Sequence, residues 1–178
     1  MHRPLSRRLV CLWLAAGLVN ASHAKPGVQT ISWDDLVPAN WNPAAQFKEQ
    51  DLQRLSDSDP RAQELLARMR KILDEAPINS AMQGRLVRLP GYVVPLEEGR
   101  DGLREFLLVP YFGACIHTPP PPANQIIHVR LDKPSRLAKS MDAVWLTGEL
   151  RTERARTDMG QSGYRMQASK LELYSDKR

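Results

Sequence analysis

Two periodicities divide the chain. Between Asp59 and Pro77, apolar residues recur at helical spacing: Ala62, Leu65, Leu66, Met69, Ile72, Leu73 and Ala76. Arg61, Glu64, Arg68 and Lys71 cover the opposite face, with Glu64 and Arg68 an i, i+4 pair in the favourable order. Asp59 is placed to cap this helix, Pro60 suits a first turn that needs no N–H, and Pro77 ends it. The pattern predicts an amphipathic helix docked on an apolar surface through Leu65, Leu66, Met69, Ile72 and Leu73. On that expectation Leu66→Asp would put a charge into an apolar contact and cost several kcal/mol.

From Gly84 the period changes to two. Val87 and Leu89 alternate with Arg88, and Tyr92, Val93 and Val94 continue after a kink at Pro90-Gly91. Residues 97–102 read as a turn. Phe106 to Phe112 is a strand whose continuous apolarity predicts burial on both faces, with Pro110 marking an edge or a bulge. Ile126 to Leu131 is a third strand, and Pro134 to Ser140 a connection. Ala143 to Glu153 alternates around Gly148, Arg154 to Gly163 is a polar turn region, and Tyr164 to Tyr174 alternates again. Five short strands of this kind predict a mainly β fold with an N-terminal helix: a small OB-like five-stranded barrel, the helix plugging or flanking it. Gly148 and the kinked first strand supply the bends that closure needs. A two-sheet β-sandwich is the alternative.

The segments before the helix change the picture of where the domain works. Arg3, Arg7 and Arg8 precede an apolar run from Leu9 to Val19, and Ser22-His23-Ala24 offers small residues where a signal peptidase cuts. The run is too short to span a bilayer comfortably. Residues 1–24 are therefore expected to be a cleaved signal peptide and the protein to be periplasmic, with no membrane span after cleavage. Residues 25–58 form an irregular N-terminal segment that packs Trp33 and Trp41 on the domain, with a short helix around Phe47, Leu52 and Leu55. Residues 59–77 are the helix and 78–178 the barrel domain. The net charge of +5 falls to +2 once the three leader arginines are gone, which removes the main support for a nucleic-acid partner.

Export also isolates one thiol. Cys11 leaves with the leader, so Cys115 has no partner for an intramolecular disulfide. It lies in the stretch EFLLVPYFGACIHTPPPPANQIIHV, residues 105–129, two positions before His117. In extended chain, i and i+2 share a face, so thiolate and imidazole can converge on one cation, and both suit zinc or copper. Glu105, His128 and a carboxylate such as Asp101 or Glu97 are the candidates to complete that shell, and the sequence does not choose among them. Pro119, Pro120, Pro121 and Pro122 fix four φ angles and favour a polyproline II rod, which braces Cys115 and His117 or offers a docking edge. Asn124 and Gln125 are expected to bond to that loop's carbonyls. The plain alternative is a buried cysteine beside a stiff surface loop. A Cys–His nucleophile is a further reading, although i, i+2 neighbours seldom reach in-line contact.

The runs LPGYVVPLE, Leu89 to Glu97, and EFLLVPYFGACIHTPPPPANQ, Glu105 to Gln125, resemble an exported bacterial family known as domain of unknown function 3299. The likeness spans about the last two-thirds of the processed chain. It implies an accessory protein of a membrane transport system, with links to metal supply, rather than an established enzyme class. The leading expectation is a periplasmic accessory or binding protein handling zinc or copper through Cys115 and His117. A metal-free module docking through the proline loop is second, and a thiol enzyme third.

Overall fold

The computed structural model describes residues 27–46, 60–114 and 121–175. The signal peptide, the short helix around Leu52 and the Asp59 cap lie outside them. The described elements are β1 (Gln29–Thr30), α1 (Pro60–Asp74), β2 (Arg85–Gly99), β3 (Gly102–Val109), β4 (Ile127–Ser135), β5 (Ala143–Arg151), β6 (Ala155–Thr157), β7 (Gly160–Ser162) and β8 (Tyr164–Leu173), with short 3-10 turns between some of them.

β2 closes the barrel by serving two partners. Its first half, Arg85 to Tyr92, runs antiparallel to β5, and its second half, Tyr92 to Gly99, runs antiparallel to β3. The changeover falls at Tyr92, directly after the Pro90-Gly91 kink. Gly91 is required there because a Cβ would stand 2.7 Å from Leu108 Cγ and 2.9 Å from the Val109 carbonyl oxygen. β3 then pairs with β4, β4 with β8 in parallel, and β8 with β5, so the ring β2-β3-β4-β8-β5 returns to β2. Counting only these strands in chain order, the ring reads 1-2-3-5-4, an OB-type arrangement. Closure excludes the sandwich alternative.

The barrel is filled by inward residues of alternating strands, including Val87, Leu89, Phe106, Leu108, Val129, Leu146 and Met166, all essentially inaccessible to solvent. A second, smaller cluster lies on the outer face: Val94, Leu107, Val109, Ala114 and Ile126. Leu107 and Val109 face out while Phe106 and Leu108 face in, so β3 is buried on both faces, as its unbroken apolarity predicts.

Several local expectations are corrected. Pro110 lies just beyond the end of β3, where it interrupts no ladder, and Pro134 falls inside β4. Residues 154–163 are not a plain turn but the β6–β7 hairpin, a separate two-stranded sheet. The segment after residue 27 is not wholly irregular: β1 pairs in parallel with Val87 and Arg88 of β2. Trp33 donates its indole N–H to the Pro90 carbonyl oxygen at 2.8 Å, and Leu36 is fully buried.

The largest correction concerns α1. It is helical over the expected residues, yet none of its side chains is fully buried and Leu66 is 58 % exposed. It lies against the β6–β7 side of the domain rather than plugging the barrel. Arg154 clasps its C-terminal end by donating to the carbonyl oxygens of Asp74 (2.9 Å) and Ala76 (2.6 Å). These are carbonyls that a helix end leaves without intrahelical partners. Leu66→Asp is therefore expected to change stability by no more than about 0.5–1 kcal/mol, mostly helix propensity. Thermal unfolding checks this, and a drop of about 10 °C would show that the face is covered. No helix among the described residues is long and apolar enough to cross a membrane.

Candidate functional site

The site is built on the outward face of the β3–β4 pair. Phe106 stands opposite Val129 and Leu107 opposite His128, which puts Glu105 and His128 on the same outer face as diagonal cross-strand neighbours. Such neighbours are within reach of long side chains. The structure brings them together: His128 Nε2 lies 2.6 Å from Glu105 Oε1, with side chains 12 % and 33 % exposed. The contact is close but not aligned as a hydrogen bond, so the buried Nε2 lacks a proper partner. Arg130, opposite Glu105 in register, is exposed.

The segment joining β3 to β4 holds the remaining candidates. Cys115, His117, Pro119 and Pro120 lie outside the described residues. Both ends of their segment are fixed. Gly113 has a φ of 79°, a left-handed conformation that suits a residue without Cβ, and the next residue, Ala114, is buried in the outer cluster. On the far side Pro121 is buried, and Pro122 has φ −61° and ψ 150°, a polyproline II geometry. A 3-10 turn, Ala123–Gln125, leads back into β4.

Asn124 departs from expectation. It is fully buried and donates through Nδ2 to the Pro77 carbonyl oxygen at 2.9 Å, tying the loop to the end of the helix segment instead of to the loop's own carbonyls. Its Oδ1 is sealed from solvent and meets no donor. The backbone of the turn is anchored too, since Gly163 N–H donates to the Ala123 carbonyl oxygen at 2.6 Å. A Cβ at Gly163 would lie 2.7 Å from that oxygen, so the approach depends on glycine. Gln125 uses its backbone N–H to close the turn on the Pro122 carbonyl oxygen at 2.7 Å.

A metal needs several convergent donors. Among the described residues no group of three His, Cys, Asp or Glu side chains is close enough to hold one. Glu105 and His128 supply two donors. For both to bind one tetrahedral zinc at about 2.0–2.1 Å, they would stand about 3.3 Å apart, so the pair would have to part slightly.

A second concave surface was not singled out by sequence reasoning. Trp33, Pro90, Gly91, Tyr92, Pro110, Ala143 and Tyr174 line an open cleft of about 250 Å³ over the β2 kink. Its residues are scattered from position 33 to 174, so no local motif marks them. Their one signal in the sequence is that aromatic residues are few, 11 in all.

The geometry can be set beside known proteins. The family described as "Protein of unknown function (DUF3299)" matches residues 33–173. The chain belongs to the DUF3299 family. The match extends further toward the N-terminus than the motif runs, taking in Trp33 and the whole of α1. A crystal structure of a DUF3299 family protein from Pseudomonas aeruginosa PAO1 is similar at 34 % sequence identity and a TM-score of 0.68, covering 86 % of this chain and 100 % of that one. No curated protein matches. DUF3299 membership therefore establishes the relationship of the barrel and its loop without assigning them a reaction.

Proposed function

We propose that this DUF3299 protein is an exported accessory protein that binds a zinc or copper ion on the outer face of the β3–β4 pair, in the service of a membrane transport system. The observation that carries the reading is the Glu105–His128 pair. Its two side chains approach to 2.6 Å on a largely buried face, and its imidazole Nε2 lacks an aligned hydrogen bond. Imidazole binds zinc or copper through a ring nitrogen, and carboxylate is a regular companion ligand. The segment joining these two strands carries Cys115 and His117, which would complete a four-ligand shell of mixed softness suited to either metal. Rigid ends at Ala114 and Pro121–Pro122 favour a segment that holds its ligands in place. The basic leader followed by Ser22-His23-Ala24 supports export.

Isothermal titration with Zn²⁺ and Cu⁺ tests the reading. Cys115→Ser and His117→Ala are each expected to weaken binding by at least the roughly 10–100-fold that loss of a mere supporting group costs. Glu105→Gln and His128→Ala are expected to do the same while leaving the fold intact. If the wild type binds no tighter than Cys115→Ser, the metal reading fails, and the proline loop is better understood as a docking surface with Cys115 in its packing.

A further inference from the structure

The apolar stripe of α1 is left partly open by its own domain. None of the helix's side chains is fully buried, and Leu66 is more than half exposed. The helix meets the β6–β7 hairpin along its polar edge: Arg70, Lys71 and Asp74 face Arg154, Arg156 and Gln161 across one groove. Leu66, Met69 and Leu73 line a different, open surface that is mainly apolar. An apolar stripe held out in this way marks an interaction surface.

The charged residues narrow what can cover it. Side chains three or four positions apart are neighbours on a helix. Arg70 therefore stands between Leu66 and Leu73, at one border of the stripe. Arg68 stands between Leu65 and Ile72 at the other border, where Arg61 also adjoins Leu65. The acids are set back. Glu64 neighbours Arg61 and Arg68 in the middle of the polar face. Asp74 neighbours Arg70 and Lys71, and together with Glu75 it lines the groove that holds Arg154 and Arg156. Asp158 shares a smaller hollow with Arg70 and Arg156. Within Pro60–Asp74 four basic residues stand against two acids.

An apolar band with guanidinium groups at both borders and carboxylates away from it fits a lipid surface. The aliphatic stem of each arginine extends the band while its charged head reaches the phosphates. A protein partner would need an acid opposite each border, whereas an anionic bilayer supplies phosphates along both at once. The helix rises about 22 Å over its length, and it is not apolar enough to cross a membrane, so it would lie in the plane of the surface. We infer that α1 docks the protein on a bilayer rich in anionic phospholipid, with Leu66, Met69 and Leu73 below the headgroups and Arg68 and Arg70 at the level of the phosphates. The contact uses no residue of the proposed metal site, so it stands or falls independently of metal binding.

The test is cosedimentation of the processed chain, residues 25–178, with extruded vesicles in the presence of a chelator. The probe is a vesicle of phosphatidylglycerol and phosphatidylcholine in equal parts, and the control is phosphatidylcholine alone. The protein is expected to pellet with the mixed vesicles and to stay in solution with the control. Pelleting should fall as salt is raised, because salt screens the attraction of arginine for phosphate. Leu66→Asp, and Arg68→Glu combined with Arg70→Glu, are each expected to weaken binding to the mixed vesicles at least about tenfold. All three positions are exposed, so circular dichroism should show both altered proteins folded. The salt series on the wild type reads the charge contribution without any substitution. Absence of pelleting with the mixed vesicles overturns the proposal, as does equal pelleting with both vesicle types or full affinity in both altered proteins. Dimerisation in light scattering that Leu66→Asp abolishes also overturns it, since a second copy would then cover the stripe.

Discussion

Gly148→Val is expected to lower the melting temperature by about 6–12 °C, the equivalent of roughly 3 kcal/mol in a domain of this size. Gly148 sits in β5 where its pairing with β8 slips register, between Thr147 and Gly148. A Cβ there would lie 2.4 Å from the Gln167 carbonyl oxygen and 2.8 Å from the Ala168 Cα. Both are backbone atoms of the neighbouring strand and cannot swing aside as a side chain would. The substitution must therefore push β5 and β8 apart at a barrel seam and break ladder bonds on either side. Gly27→Ala serves as the control, because a Cβ at Gly27 meets nothing within 4 Å. Thermal unfolding followed by circular dichroism gives the answer, and a Gly148→Val melt that overlays the wild type would mean the seam is looser than described.

Tyr164→Phe removes one oxygen atom and is expected to destabilise by about 2–4 kcal/mol. The Tyr164 ring is fully buried in the barrel core. Its hydroxyl donates to the Leu36 carbonyl oxygen at 2.6 Å and accepts from the Asn79 N–H at 2.6 Å. One atom thus joins the segment before the helix, the segment after it and the start of β8. Phenylalanine would strand an acceptor and a donor away from water, at about 1–3 kcal/mol each before relaxation. A pH signature accompanies the loss. Burial pushes the hydroxyl above its ordinary value of 10.0, so the fold favours its protonated form. That contribution is fully present below pH 10 and disappears as pH rises through the folded-state value. Urea unfolding at pH 8 and at pH 10.5 should show wild-type stability falling between the two. In Tyr164→Phe the fall should be smaller, and an unchanged alkaline fall would show that another group titrates.

The barrel was legible because its strands obey a period of two and their ends are marked by glycine and proline. Pro90-Gly91 and Gly148 were read as bends; β2 changes partner at Tyr92, directly after the first, and β5 slips register at the second. Glu105 and His128 were two of several separate candidates to join Cys115 and His117, and their own contact comes from the β3–β4 register, which the sequence does not display. What stayed hidden depends on pairings that no local pattern encodes. Leu66 belongs to a helical apolar stripe, but the helix lies against the β6–β7 hairpin, which no local pattern announces, and Leu66 stays exposed. Residues 154–163 look like a polar turn because a two-stranded hairpin of three-residue strands buries too little to leave an alternation. Asn124 reads as a surface residue of a proline loop, yet it is bound to Pro77, which lies across the fold.

The place of β8 in the ring bears on when the protein can fold. β8 is the last of the described strands, yet it stands between β4 and β5, parallel to one and antiparallel to the other. Until it arrives, β4 and β5 present open edges to each other across a gap one strand wide. Neither can be satisfied by anything synthesised earlier, and open edges invite pairing with other chains. The ring is a non-local topology whose contacts are rewarded only at closure. The emerging polypeptide therefore cannot close the ring before residues 164–173 are made.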